Sequence, residues 1–250
     1  MAFFREVELG ASFAPFAAFR EYFGFVPSLF RCQSVLPALI EAEAGLAASI
    51  LVQEGALSRK QKERMLLTVA AANRNAYCAT AHYQVLSLLG EPEERLDQLL
   101  SDYRHADLPA ADVALLDFAS KLCTNGPSVS RDDVTNLNTY GWSDPAVLET
   151  VLIAAWANFL CSLSTGSGAS PDFDPVPLPS PTPFMPPSRP SDQAADGAGP
   201  YLKVADLQAK DFAPFAFLRE QFGFIPNVFR AQTLRPDLIE AEAEATMPLR

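Results

Sequence analysis

Apolar residues recur three and four positions apart through most of the first 165 residues, and nowhere do they alternate strictly with polar ones. That spacing is the period of an α-helix with one face turned to a core. It predicts helices over about 12–22, 34–53, 58–73, 76–89, 93–104, 110–124, 130–139 and 144–164, with Gly or Pro punctuating several of the gaps. The predicted fold class is an all-α bundle. Three of these helices carry readable ends. Ser58-Arg-Lys-Gln61 has the form of a capping box. Asn73-Arg-Asn75 is poor helix material and predicts a turn. The next helix starts near Ala76 and stops before Gly90 and Pro92. Asp132 and Asp133, after Ser130, predict another helix N-terminus.

The pattern then changes. Residues 171–200 hold ten of the 21 prolines. That composition predicts an extended, semi-rigid linker over 169–203, following a helical domain over 1–168. Beyond it the chain repeats itself. Phe212-Ala-Pro-Phe-Ala216 copies Phe13-Ala-Pro-Phe-Ala17, and at a constant offset of 199 residues, 21 of the 32 positions from Phe13 to Ala44 are identical. Residues 204–250 are therefore a partial second copy of the N-terminal segment. The equivalent of Cys78 would fall at position 277, so this copy carries none of the chemistry described below. The preferred expectation is a fragment of a longer tandem protein, with a decayed duplicate as the alternative. About 40 residues of helix bury little core alone, so the copy should lean on the first domain, swap onto another protomer or be loosely ordered.

Composition narrows the setting. The chain is 49% hydrophobic and 20% charged, enough for a sizeable core. A formal net charge of -11, with no basic patch, argues against nucleic acid as a partner. Met1-Ala-Phe-Phe runs straight into Arg5 and Glu6, which is not a secretory pattern. The most apolar stretch, Val147 to Leu163, is broken by Glu149, Thr150 and Asn158, and so predicts a buried helix rather than a membrane span. Four cysteines without regular spacing suit a reducing cytoplasm.

The chain has only two histidines, yet one follows a cysteine by four residues in Cys78-Ala-Thr-Ala-His82. One helical turn separates them, so thiol and imidazole share a face. Glu63 lies on the preceding helix in line with Leu66, Leu67 and Ala70, and so points where an apolar stripe points. If the two helices pack antiparallel, Glu63 and His82 both lie on the order of 12–15 Å from the turn, which lets them meet. The predicted order is Glu63 to His82 to Cys78, a proton relay ending on a sulfur at a helix N-terminus, where the dipole favours the thiolate. A bland alternative stands beside it, because a buried Cys is commonly a small hydrophobe. One Cys and one His give only two ligands, so neither a metal nor another cofactor is expected. Cys32, Cys123 and Cys161 are expected to be structural filler. His105 sits in a polar loop and is given no role. The Phe-rich segment (Phe13, Phe16, Phe19, Phe23, Phe25, Phe30) is expected to be core or subunit interface rather than a cofactor box.

Asn73-x-x-x-Tyr77-Cys78-x-x-Ala81-His82, with Glu63 upstream, resembles the signature of the alkylhydroperoxidase D-like (carboxymuconolactone decarboxylase) superfamily, and its peroxidase-related branch above all. Phe23-Gly-Phe-Val-Pro-Ser-Leu-Phe30, Ala114 to Leu122 and Gly141-Trp-Ser-Asp-Pro145 extend the resemblance to about residues 12–168. It implies an antiparallel helical arrangement that forms homo-oligomers, a Glu–His–Cys relay, and a Cys-x-x-Cys pair cycling through a disulfide in thiol peroxidase chemistry. Two positions depart from that pattern. Asn75 replaces the first Cys of Cys-x-x-Cys, and Asn158-Phe-Leu-Cys-Ser162 replaces an Asn-Arg pair with Cys161 and Ser162.

The expected function is therefore a thiol peroxidase: Cys78 reduces a hydroperoxide, Glu63 and His82 move the proton, and Tyr77 and Asn75 support the site. An external thiol would complete the cycle, because Asn75 leaves no second thiol inside the motif. Two alternatives come from other classes. One is a cofactor-free lyase in which Glu63 and His82 work on a small carboxylated lactone. The other is a non-catalytic oligomerisation scaffold built on the repeat.

Overall fold

The computed structural model describes residues 2–178, 202 and 212–246, and every described element is helical or a turn. The first domain contains α1 (Ala14–Phe23), α2 (Ser28–Cys32), α3 (Pro37–Ala47), α4 (Arg59–Ala72), α5 (Ala76–Leu88), α6 (Glu93–Asp102), α7 (Ala110–Asn125), α8 (Arg131–Thr139) and α9 (Asp144–Ser167). The hydrophobic period locates all of them except α2. That helix is five residues long, too short for any period to show.

α4 sits at the centre and packs against α5, α6, α7 and α9. Its sequence explains the position: after a polar start, the run from Met65 to Ala71, Thr68 included, is buried on every side. A stretch buried all round has to be surrounded. Each of the larger apolar side chains contributes roughly 1.5–3 kcal/mol on burial. Its start is fixed by the expected capping box, in which Ser58 Oγ accepts from the Gln61 amide and Gln61 Oε1 accepts from the Ser58 amide at 2.9 Å. A tight turn leads into α5, with Arg74 in the left-handed region at φ 53°. This turn sets α4 and α5 antiparallel. Ser130 likewise forms a capping box with Asp133, which Lys121 also holds at 2.7 Å.

α9 is long and apolar enough to cross a membrane by length and composition, yet 67% of its apolar window is buried. It packs on α4 and α7, as a core helix does. Its one buried acid, Glu149, accepts from the amides of Ala56 and Leu57 at 2.9 and 3.0 Å and lies 3.7 Å from the buried Lys62 ammonium. Gly55 lies close beside it, where a Cβ would crowd the Glu149 carboxylate out of place. The α3 helix does not run to residue 53 as one regular element. It passes into a π-helical turn over Ala48–Val52, which bulges towards the space beside α5.

The expected linker, 169–203, lies outside the described residues except for 169–178 and 202. Its first residues fold back onto the helices: Asp172 accepts from the Ser28 amide, and Val176 and Leu178 pack against the core. In the second copy, α10 (Ala213–Phe222), α11 (Asn227–Ala231) and α12 (Pro236–Thr246) reproduce α1 to α3 at the same 199-residue offset. The copy leans on the first domain. α12 packs against α3, its own counterpart, with Leu238 sealed in the main core. Arg235 reaches across to Glu149 and to the Ser49 carbonyl, and pairs with Asp237 at 2.8 Å.

Candidate active site

The antiparallel pairing of α4 and α5 brings Glu63 and His82 together. Glu63 Oε2 lies 2.8 Å from His82 Nδ1, and Oε1 accepts from Arg59 Nε at 2.8 Å and Nη2 at 2.6 Å. The carboxylate is 1% exposed, so both oxygens need partners, and both have them. Burial by itself would raise the Glu63 pKa. The charge and hydrogen bond of His82, with those of Arg59, outweigh it and hold the carboxyl below its ordinary value. A carboxylate accepting at Nδ1 fixes the proton there, leaving Nε2 of a neutral ring as an acceptor. Arg59 is a site residue that pattern reading passed over. Its signal is the i, i+4 spacing to Glu63.

Cys78 occupies the first turn of α5. Asn75 caps the helix, its Oδ1 accepting from the Cys78 amide at 2.8 Å. Its Nδ2 donates to the Cys161 carbonyl, Ser164 Oγ and Thr165 Oγ1 at 2.9–3.0 Å, tying α5 to α9. The Cys78 sulfur sits 3.9 Å from Ser164 Oγ. Tyr77 donates its hydroxyl to Asp172 Oδ2 at 2.9 Å and accepts from the Leu29 amide at 3.3 Å. It thereby joins α2, α5 and the chain beyond α9. Burial, then the neighbouring Asp172, push its pKa above the ordinary phenol value.

Two expectations change here. No hydrogen bond among the described residues joins His82 to the Cys78 thiol, so the three groups are not one continuous chain. The position at a helix N-terminus does not leave Cys78 the more acidic thiol either. A hydrogen bond with the Cys161 thiol, followed by burial, raises Cys78, and the same contact lowers Cys161. The fourth thiol, Cys123, is pushed up to about 11 by burial. All four cysteines are free.

Glu63, His82 and Cys78 meet at the wall of a cavity of about 730 Å³. The rest of its lining is mainly apolar. Phe19, Phe23, Phe25 and Phe30 form one side, Leu51 and Val52 of the π-helical turn another, and Trp156 and Leu160 of α9 a third. The Phe-rich segment is thus divided in its work: Phe16 is buried core with Val26 and Ile40, whereas the later rings face the cavity. Phe19 stacks on Phe30 with centroids 4.2 Å apart. Among the lining residues the cations are Arg59, bound to Glu63, and His82 when protonated. Among the described residues, no group of three or more His, Cys, Asp or Glu side chains is placed to hold a metal ion. His105 lies on the surface against Asp102 at 3.0 Å, away from the cavity.

The antiparallel helices α4 and α5 thus share a Glu–His pair, with a cysteine on the second of them. Residues 37–119, which carry Glu63, Cys78 and His82, match the carboxymuconolactone decarboxylase family. That match spans the segment from α3 to α7. No curated protein matches the chain. Its fold is similar to that of an alkylhydroperoxidase core, an uncharacterized peroxidase-related protein from Ralstonia eutropha JMP134, at 24% identity and a TM-score of 0.65 over 68% of this chain and 92% of that one. A second uncharacterized peroxidase-related protein, from Silicibacter sp. TM1040, matches at 22% identity and a TM-score of 0.61 over 63% and 82%. The debrominase Bmp8, in a cysteine-to-alanine variant complexed with 2,3,4-tribromopyrrole, matches at 18% identity and a TM-score of 0.59 over 67% and 90%.

Proposed function

We propose that this chain is a thiol-dependent peroxidase that reduces bulky, apolar hydroperoxides at Cys78. The observation that carries the reading is a single cavity wall bearing a cysteine, a carboxylate-oriented imidazole and otherwise mostly hydrocarbon. The thiolate attacks the outer peroxide oxygen, the O–O bond breaks, and Cys78 becomes a sulfenic acid. The leaving alkoxide needs a proton, and His82, on the same cavity wall one turn further along α5, is placed to supply it. Glu63 stabilises the imidazolium before that transfer, and Arg59 keeps Glu63 ionised. The gap between His82 and the sulfur is thereby explained: a bound peroxide bridges it. Tyr77 and Asn75 support the site by fixing the first turn of α5.

An aromatic and aliphatic wall favours an organic hydroperoxide over hydrogen peroxide, since burying the apolar body contributes roughly 25 cal/mol per Å². The lyase alternative fits less well. A carboxylated lactone calls for a cation to meet its charge, and Arg59 is already neutralised by Glu63. The reading includes an external thiol as final reductant, a homo-oligomer as the working form and a cytoplasmic setting.

The test is Cys78 oxidation in the full chain, followed by mass spectrometry after one equivalent of cumene hydroperoxide and, separately, hydrogen peroxide. The expected result is oxidation at Cys78, at least about tenfold faster with the organic peroxide, and no peroxide turnover in Cys78→Ser. A Cys78 that stays reduced while other thiols oxidise would overturn the reading, as would peroxide turnover that survives Cys78→Ser.

A further inference from the structure

Cys78 has a second thiol behind it. Cys161 of α9 comes from 83 positions along the chain, yet one side chain, Asn75, ties its backbone to that of Cys78, and the two thiols interact. Several ties hold the pair in register. Asn75 grips both backbones at once, accepting from the Cys78 amide at 2.8 Å and donating to the Cys161 carbonyl at 3.0 Å. Ser164, one turn after Cys161, donates to the same carbonyl at 3.1 Å and places its Oγ 3.9 Å from the Cys78 sulfur. Asn73, at the end of α4, donates to Asn158 Oδ1 at 2.7 Å on the same helix as Cys161. The two sulfurs differ in access. Both residues are buried, but only Cys78 borders the cavity, and Cys161 lies outside its lining. An oxidant entering the cavity meets Cys78 first, with Cys161 shielded at its back.

We infer that Cys161 is the resolving thiol: it closes an intramolecular disulfide with the oxidised Cys78, acting from α9 because Asn75 holds the place of a second thiol within the α5 motif. This rests on the reading of Cys78 as the peroxide-reducing residue. The steps balance. The Cys78 thiolate takes one oxygen from ROOH, and ROH leaves once His82 has protonated the alkoxide. Cys161 then gives up its proton, and its sulfur attacks the Cys78 sulfenic sulfur. The S–O bond breaks and the oxygen departs as water. One ROOH and two protein thiols thus yield ROH, water and one disulfide, which an external dithiol reduces by exchange. Asn75 has a use in this cycle, since fixing both backbones keeps the pair within reach of the roughly 5.5–6 Å Cα separation that a disulfide adopts.

The experiment treats the full-length protein with one equivalent of cumene hydroperoxide, blocks remaining thiols with N-ethylmaleimide, and maps non-reduced peptides by mass. Wild type should lose two thiols and yield one linked pair, Cys78 with Cys161. Cys161→Ser should lose one thiol, give a dimedone adduct on Cys78, and reach the sulfinic acid at roughly tenfold lower peroxide excess than wild type. Cys161→Ala serves as a second variant that keeps the packing, and the wild-type map stands without either. A dimedone-reactive Cys78 in wild type with Cys161 still open to the maleimide overturns the inference while the peroxidase reading survives. A linked pair containing Cys123 or Cys32 overturns it too. A Cys78 untouched by peroxide removes both.

Discussion

One side chain, Asn75, spans the site: its Oδ1 holds the Cys78 amide at 2.8 Å and its Nδ2 holds the Cys161 carbonyl at 3.0 Å. It also satisfies Ser164 Oγ and Thr165 Oγ1. The residue that departs from the Cys-x-x-Cys pattern is therefore a helix cap and an interhelical bracket. Asn75→Ala should lose the cap and leave buried partners without a donor, costing about 2–3 kcal/mol. Asn75→Cys would gain a thiol at the cost of the same bonds. Denaturant midpoints of both variants check this. A midpoint equal to that of wild type would show that the bracket carries no stability.

Glu63→Gln should slow Cys78 oxidation by about 10²–10⁴, the usual cost of disabling one proton-transfer partner. The amide keeps the shape but cannot stabilise an imidazolium at His82. Folding should persist, because Arg59 is 29% exposed and can turn to solvent. Stopped-flow oxidation with far-UV circular dichroism as the fold control decides between a relay and a merely structural carboxylate.

Labelling should single out Cys78. It alone of the four cysteines lines the cavity, whereas Cys32, Cys123 and Cys161 do not. Site-resolved reaction with a small apolar maleimide is the measurement. Cys78 as the slowest of the four would contradict an open cavity.

Glu43 predicts a pH dependence. It is buried beside Gln33, whose Nε2 donates to it at 3.1 Å, and desolvation lifts its pKa to about 7 from 4.5. The folded chain binds this proton more tightly than the unfolded one. The associated stability is complete below about pH 4.5 and is lost as pH rises through about 7. Glu43→Gln should therefore be more stable than wild type at pH 8, by on the order of 2–3 kcal/mol, with the difference closing towards pH 4.5. Urea titrations at the two pH values test the sign.

Leu238→Ala should loosen the second copy without touching the cavity. Leu238 is 1% exposed in the main core, and truncating a buried leucine costs roughly 2–5 kcal/mol. Hydrogen exchange in α12, and in the face of α3 beneath it, should accelerate, while α4 and α5 stay protected. Equal protection of α12 in both proteins would mean that Leu238 does not anchor it.

The sequence by itself determined the helices, since a period of 3.6 is a local property, and it set the ends of α4 and α8 through Ser58 and Ser130. It also determined that Cys78 and His82 share a face, because four residues make one turn, and that α10 to α12 repeat α1 to α3. Only the tertiary structure decided what meets across helices. The pairing of Glu63 with His82 needed the left-handed turn at Arg74 to set α4 against α5. The approach of Cys161 to Cys78 depends on how α9 packs behind α5, which no spacing along the chain encodes. The same packing turned half of a phenylalanine-rich segment into a cavity wall and brought Asp172 back under Tyr77. Such contacts join residues 19 to 95 positions apart, and a period that reports only which face of a helix is apolar cannot say which partner that face will find.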